Sequence, residues 1–90
     1  MIILQSGLFS RRVKRLHSAE KRSLDNAIKT VIEKPTIGQV KTGDLASVYV
    51  HKYKYKTQQY LLAYKFSEKE QILTLIALGT HKNFYRDLKQ

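Results

Sequence analysis

The sequence predicts an α+β fold: a short N-terminal strand and an αα-hairpin packed on a twisted antiparallel sheet of about four strands, closed by a short C-terminal helix or turn. Three observations predict it. Apolar residues before Pro35 recur at helical spacing. Apolar and aromatic residues after a turn-rich stretch recur at period two. The turns between the later runs are short, which suits hairpins and excludes crossover connections. Ninety residues, 42% of them hydrophobic, with one Pro and four Gly, suit a single domain spanning 1–90.

Residues 2–5 are mainly apolar and fit a short strand. Phe9, Val13 and Leu16 follow at i, i+4, i+7, which gives a short helix one apolar face. Arg11, Arg12, Lys14 and Arg15 fall mostly on its other face. Ser18 is placed to N-cap a second helix, with Glu20 in the first turn where the helix dipole favours an anion. Leu24, Ala27, Ile28, Val31 and Ile32 form the apolar stripe of that helix; Lys34 suits its C-terminal end and Pro35 stops it.

Residues 38–44 read as loop and turn. Residues 48–56 then alternate as a strand. Val48, Val50, Lys52, Lys54 and Lys56 share one face; Tyr49, His51, Tyr53 and Tyr55 share the other. After a turn near Thr57, residues 60–66 repeat the pattern. Tyr60, Leu62, Tyr64 and Phe66 face one way and Leu61, Ala63 and Lys65 the other. A turn at 67–70 leads to residues 72–78, apolar on both faces, as in a central strand covered on each side. Residues 83–89 fit a short terminal helix or turn.

Seventeen Lys+Arg against seven Asp+Glu give a formal charge of +10. Such an excess costs self-repulsion and implies an anionic partner, of which nucleic acid is the commonest. A membrane surface fits less well. No basic amphipathic helix has a Trp/Phe-rich face, no lipidation signal is present, and no apolar run reaches the length of a span. The first residues lack the composition of a signal peptide, so a cytoplasmic location is expected. Without cysteine, disulfides and thiolate metal sites are excluded. His17, His51 and His81 lack zinc-site spacing, with His17 placed between the helices and His51 among packing tyrosines. There is no Gly-rich phosphate loop, and the acids are scattered. Neither a metal nor a cofactor is expected.

Two groups of residues could carry chemistry. No acid occurs between Leu45 and Ser67, and within that stretch Lys52, Lys54 and Lys56 project every second residue, about 7 Å apart. That pitch suits a phosphate backbone, although lysines also protect edge strands from aggregation. Neighbouring tyrosines, Tyr60 among them, can stack bases or simply pack. The second group follows the last strand: His81, Lys82, Tyr85 and Arg86 lie within six residues. His can transfer a proton near neutral pH, and Lys or Arg can stabilise charge on phosphate.

Taken together, these residues resemble the RelE/ParE superfamily of toxins from bacterial type II toxin–antitoxin systems. The resemblance runs along the whole chain. It includes the basic αα-hairpin, the Gly43-Asp44-Leu45 turn, the strand from Val48 to Tyr55, Gln59-Tyr60-Leu61-Leu62-Ala63-Tyr64, and the closing stretch from Ala77 through His81, Asn83, Phe84, Tyr85 and Arg86 to Leu88. It implies a microbial-RNase-like fold and a cognate antitoxin that covers the basic face. Two activities occur in the superfamily: ribosome-dependent, metal-independent cleavage of mRNA, and poisoning of DNA gyrase. For the first, the resemblance assigns catalytic roles to His81, Tyr85, Lys52 and Lys54, and RNA or phosphate contacts to Lys56, Lys65, Arg86, Lys82 and Tyr60. Leu61 stands where many relatives carry Arg, so Lys52, Lys54, Lys65 or Arg86 would have to stabilise the transition state in its place. A plain RNA-binding module without catalysis is the third reading.

Overall fold

Two periods of apolar residues become two layers in a computed structural model, which describes residues 1–40 and 48–80. The order is β1 (Ile2–Gln5), α1 (Gly7–Lys14), α2 (Ser18–Glu33), β2 (Gln39–Val40), β3 (Tyr49–Tyr55), β4 (Gln58–Ser67) and β5 (Ile72–Thr80). The α+β architecture with helices on a sheet is as expected. The sheet itself has five strands in the order β1-β5-β4-β3-β2. It is mixed, not purely antiparallel: β1 pairs parallel with β5, with Ile2 opposite Ile72 and Gln5 opposite Leu75. The Gly43-Asp44-Leu45 turn and the expected helix or turn at 83–89 lie outside the described residues.

The helices cover one face of the sheet. Phe9 of α1 and Leu24, Ala27 and Val31 of α2 bury against Leu62, Tyr64, Leu73, Leu75 and Leu78. The opposite face carries a smaller cluster of Val48, Val50, Leu61, Ala63 and Ala77. Fully burying such aliphatic side chains stabilises by about 1.5–3 kcal/mol each before the cost of ordering the chain.

The run at 72–78 is apolar on both faces partly because β5 changes face within it. Ala63 pairs with Ala77, but Tyr64 pairs with Leu75, so Ile76 is the extra residue of a bulge. Leu73 and Leu75 point to the helices before the bulge and Leu78 after it.

The cap of α2 differs from expectation. His17, not Ser18, is the N-cap: its Nδ1 accepts the Glu20 N–H at 3.4 Å, and the Glu20 carboxylate accepts the His17 N–H at 3.1 Å. A reciprocal pair needs an acid three residues after the cap, and only His17 has one. The Glu20 carboxylate also accepts the Tyr60 hydroxyl at 2.8 Å, which ties α2 to β4. Its carboxyl is held below the ordinary carboxylate value, first by the His17 N–H and then by Tyr60.

Glu20→Gln is expected to cost about 1–2 kcal/mol at neutral pH, through the weakened cap and the lost carboxylate contact. Because folding lowers this pKa, the stabilisation is present above the ordinary carboxylate value. It is lost as pH falls through the folded value. Urea midpoints of wild type and Glu20→Gln should therefore differ at pH 7 and converge at acid pH. A gap of constant size across that range would contradict the assignment.

Candidate functional site

The β3–β4 hairpin decides which of the expected site residues meet. Its register places Lys52 opposite Leu61, Lys54 opposite Gln59 and Tyr53 opposite Tyr60. Val50, Leu61 and Ala63 lie on the face away from α2, so Lys52, Lys54 and Lys65 share that face by alternation. All three lysines are exposed. Lys52 and Lys54 stand about 7 Å apart along β3, and Lys65 lies roughly 13 Å along β4 from the position opposite Lys52. No carboxylate occurs on β3 or β4. Leu61, which lies directly across from Lys52, is fully buried in the apolar cluster of this face.

Lys56 does not continue the lysine row. It occupies the hairpin turn with φ 56°, and its Nζ lies 5.6 Å from the centre of the Tyr55 ring.

Tyr60 projects to the helix side, away from Lys52. Its ring stacks on Tyr53 with centroids 5.7 Å apart, and its hydroxyl donates to Glu20. Desolvation and the Glu20 carboxylate push its pKa up, and burial does the same for Tyr53. Tyr49 stacks on the buried Tyr64 at 5.3 Å, and Tyr55 meets His17 edge-on at 5.7 Å. The tyrosines of β3 and β4 are thus packing residues of the helix-covered face. His51 lies among them, half-buried, and burial lowers its pKa, which keeps it neutral at pH 7.

Sequence reasoning missed a cleft of about 210 Å³ on the helix side, where the α1–α2 turn meets the end of β5. Arg12, Arg15, Glu20, Tyr60 and Thr80 line it. Arg12 Nε donates to the Leu78 carbonyl at 3.1 Å, which fixes that guanidinium against β5. The spacing of Arg12, Arg15 and Glu20 around one helix–helix turn was the available signal. Thr80 immediately precedes His81, and His81, Lys82, Tyr85 and Arg86 lie outside the described residues. Among the described residues no group of His, Asp or Glu is arranged to hold a metal ion, and no helix is long and apolar enough to cross a membrane.

The sequence matches, over residues 3–89, the family model described as ParE-like toxin of type II bacterial toxin–antitoxin system. No curated protein sequence is significantly similar. Among solved structures, the toxin–antitoxin complex RelBE2 from Mycobacterium tuberculosis aligns with a TM-score of 0.75 at 12% identity, over 89% of this chain and 96% of that one. A YoeB/ParE toxin from Agrobacterium tumefaciens aligns at 0.74 and 16% identity, over 90% and 99%. The intact E. coli RelBE toxin–antitoxin complex aligns at 0.70 and 20% identity, over 88% and 94%. At these identities the structural likeness is one of fold.

Proposed function

The chain belongs to the ParE-like toxins of type II bacterial toxin–antitoxin systems, and from that premise we propose that it stops translation by cutting mRNA on the ribosome. The observation that carries this reading is the exposed Lys52–Lys54 row on an acid-free sheet face. In the proposed reaction the 2′-hydroxyl oxygen attacks the adjacent phosphorus. The bond to the 5′-oxygen breaks, leaving a 2′,3′-cyclic phosphate and a 5′-hydroxyl. Lys52 and Lys54 neutralise the phosphate as negative charge builds on it. His81 delivers a proton to the leaving 5′-oxygen, and the 2′-proton passes to water, a transfer that Tyr85 assists through its phenolic oxygen unless it stacks on a base instead. Arg86 and Lys82 extend the cationic surface, and Lys65 meets the backbone further along. The chemistry is assigned to the chain's own side chains.

The protein's inhibitor in this reading is a cognate antitoxin. Structures of related folds solved as toxin–antitoxin complexes support it. An acidic segment of such a partner would complement the +10 charge and cover the lysine face.

One observation favours a second reading. Leu61 is fully buried opposite Lys52 and adds no cation to the site, as an inhibitor of DNA gyrase without nuclease activity would allow. Primer extension on mRNA, with and without translating ribosomes, tests both readings when paired with a gyrase supercoiling assay. Ribosome-dependent cuts that His81→Ala reduces by about 100-fold or more are expected. Intact mRNA together with blocked supercoiling would transfer the assignment to gyrase.

A further inference from the structure

A row of lysines meets phosphate, and phosphate is the same in every nucleotide. Any choice among bases on the lysine face must come from a side chain that both donates and accepts hydrogen bonds. The tyrosines of the hairpin are turned to the helices and are not available to it. On the lysine face, β3 and β4 carry Lys52, Lys54 and Lys65 with the aliphatic Val50, Leu61 and Ala63. Alternation adds two neutral polar residues of β4, Gln59 and Ser67. Ser67 lies at the end of β4, about 26 Å along the strand from Gln59, and its Oγ accepts the Glu70 N–H. Gln59 stands directly across from Lys54 and is exposed, and its side-chain amide has no hydrogen-bond partner among the described residues. Residues opposite one another in an antiparallel pair have Cβ atoms about 5 Å apart. On the other side of Lys54 no described strand is paired, because β2 pairs only with Tyr49 and Val50.

We propose that Gln59 reads the base of the nucleotide whose phosphate Lys54 holds, and that it selects adenine. The proposal rests on the mRNA-cutting reading given above. A primary amide presents an acceptor, Oε1, beside a donor, Nε2. Adenine answers with a donor beside an acceptor on both of its free edges, N6–H with N1 and N6–H with N7. Cytosine, guanine and uracil do so on the Watson–Crick edge alone. An unpaired base in a single strand can turn either edge to a protein. Adenine is therefore the base that this amide holds by two hydrogen bonds in both orientations. Neither neighbour on the face can do the same. Leu61 is aliphatic and fully buried, and Lys54 only donates.

The test uses the full chain and its Gln59→Leu and Gln59→Glu variants, each confirmed folded by urea titration. Ribosomes translate mRNAs in which the nucleotides on either side of the cut are varied, and the cuts are quantified by primer extension. Wild type should favour adenine at one of these positions. Gln59→Leu should lower cutting at adenine, relative to the other bases, by about tenfold or more. Gln59→Glu, whose carboxylate only accepts, should move the preference to cytosine through its N4 amino group. An adenine preference kept in Gln59→Leu would overturn the proposal and leave the nuclease reading standing. So would an equal loss at all four bases, because Gln59 would then support the fold or the chemistry and read nothing. A wild type with no preference, or with one for another base, would overturn it as well. Messenger RNA left uncut by wild type would remove the nuclease reading, and this inference with it.

Discussion

Tyr64→Phe should destabilise the fold by about 2–3 kcal/mol, and Gly38→Ala by about 2–4 kcal/mol, although neither change removes appreciable apolar surface. Tyr64 is fully buried, and its hydroxyl donates to the Pro35 carbonyl at 2.7 Å and accepts the Gly38 N–H at 3.0 Å. One side chain of β4 therefore fixes the turn by which the chain leaves α2 and enters β2. Phenylalanine fills the same space but strands a buried backbone donor and a part-buried acceptor, at a cost of about 1–3 kcal/mol for the buried group and less for the other. At Gly38 the constraint is space. A Cβ there would lie 2.7 Å from the Tyr64 hydroxyl oxygen, 3.1 Å from its Cε1 and 3.2 Å from the Tyr49 Cβ. Tyr64 cannot retreat, because Tyr49 stacks on its ring. The double variant should lose less than the sum of the two, since both substitutions break one contact. Urea unfolding of the four proteins measures this. A Gly38→Ala protein within about 0.5 kcal/mol of wild type would mean that the turn yields, and the latch would have to be abandoned.

Where the sequence was legible, one local period decided the outcome. Phe9, Val13 and Leu16 face the core because helical geometry leaves them no alternative, and Lys52 faces away from Tyr53 for the same kind of reason. Pairing was less legible. Ile2–Gln5 is a strand, but three apolar residues and a Gln carry no mark of which strand they join. The parallel partner β5 lies some seventy residues along the chain. Gln39–Val40 is too short to alternate at all.

Tyr60 is the more instructive case. A two-residue turn at Lys56 and Thr57 pairs Tyr55 with Gln58, and that alone places Tyr60 opposite Tyr53 and away from Lys52. The separation of Tyr60 from the lysine row was therefore available in the sequence once the turn length was fixed. The His17 cap was available too, from the Glu three residues on, but Ser18 is the residue type that caps more often.

Replacing Lys52 and Lys54 together by Gln is expected to lower kcat/KM for mRNA cleavage by about a thousandfold and to leave stability within about 0.5 kcal/mol. The two halves of this expectation have different physical origins. Both side chains are exposed, so their removal leaves no cavity and no unpaired buried group. Phosphate under attack gains negative charge, and a positioned charge partner at such a centre is worth roughly 2.7–4 kcal/mol, or a hundred- to a thousandfold. In the proposed reaction the two lysines act on one phosphate as a unit, so the double variant should fall little below the worse single one. Leu61 sharpens the argument. It is fully buried beside Val50, Ala63 and Ala77, so this strand position cannot supply a guanidinium without emptying that cluster. In the proposed reaction the charge then comes from its neighbours, and Lys52 is the residue directly across. Cleavage by the double variant at the wild-type rate would remove the lysine row from the chemistry and leave it as protection for the part of β3 beyond its pairing with β2.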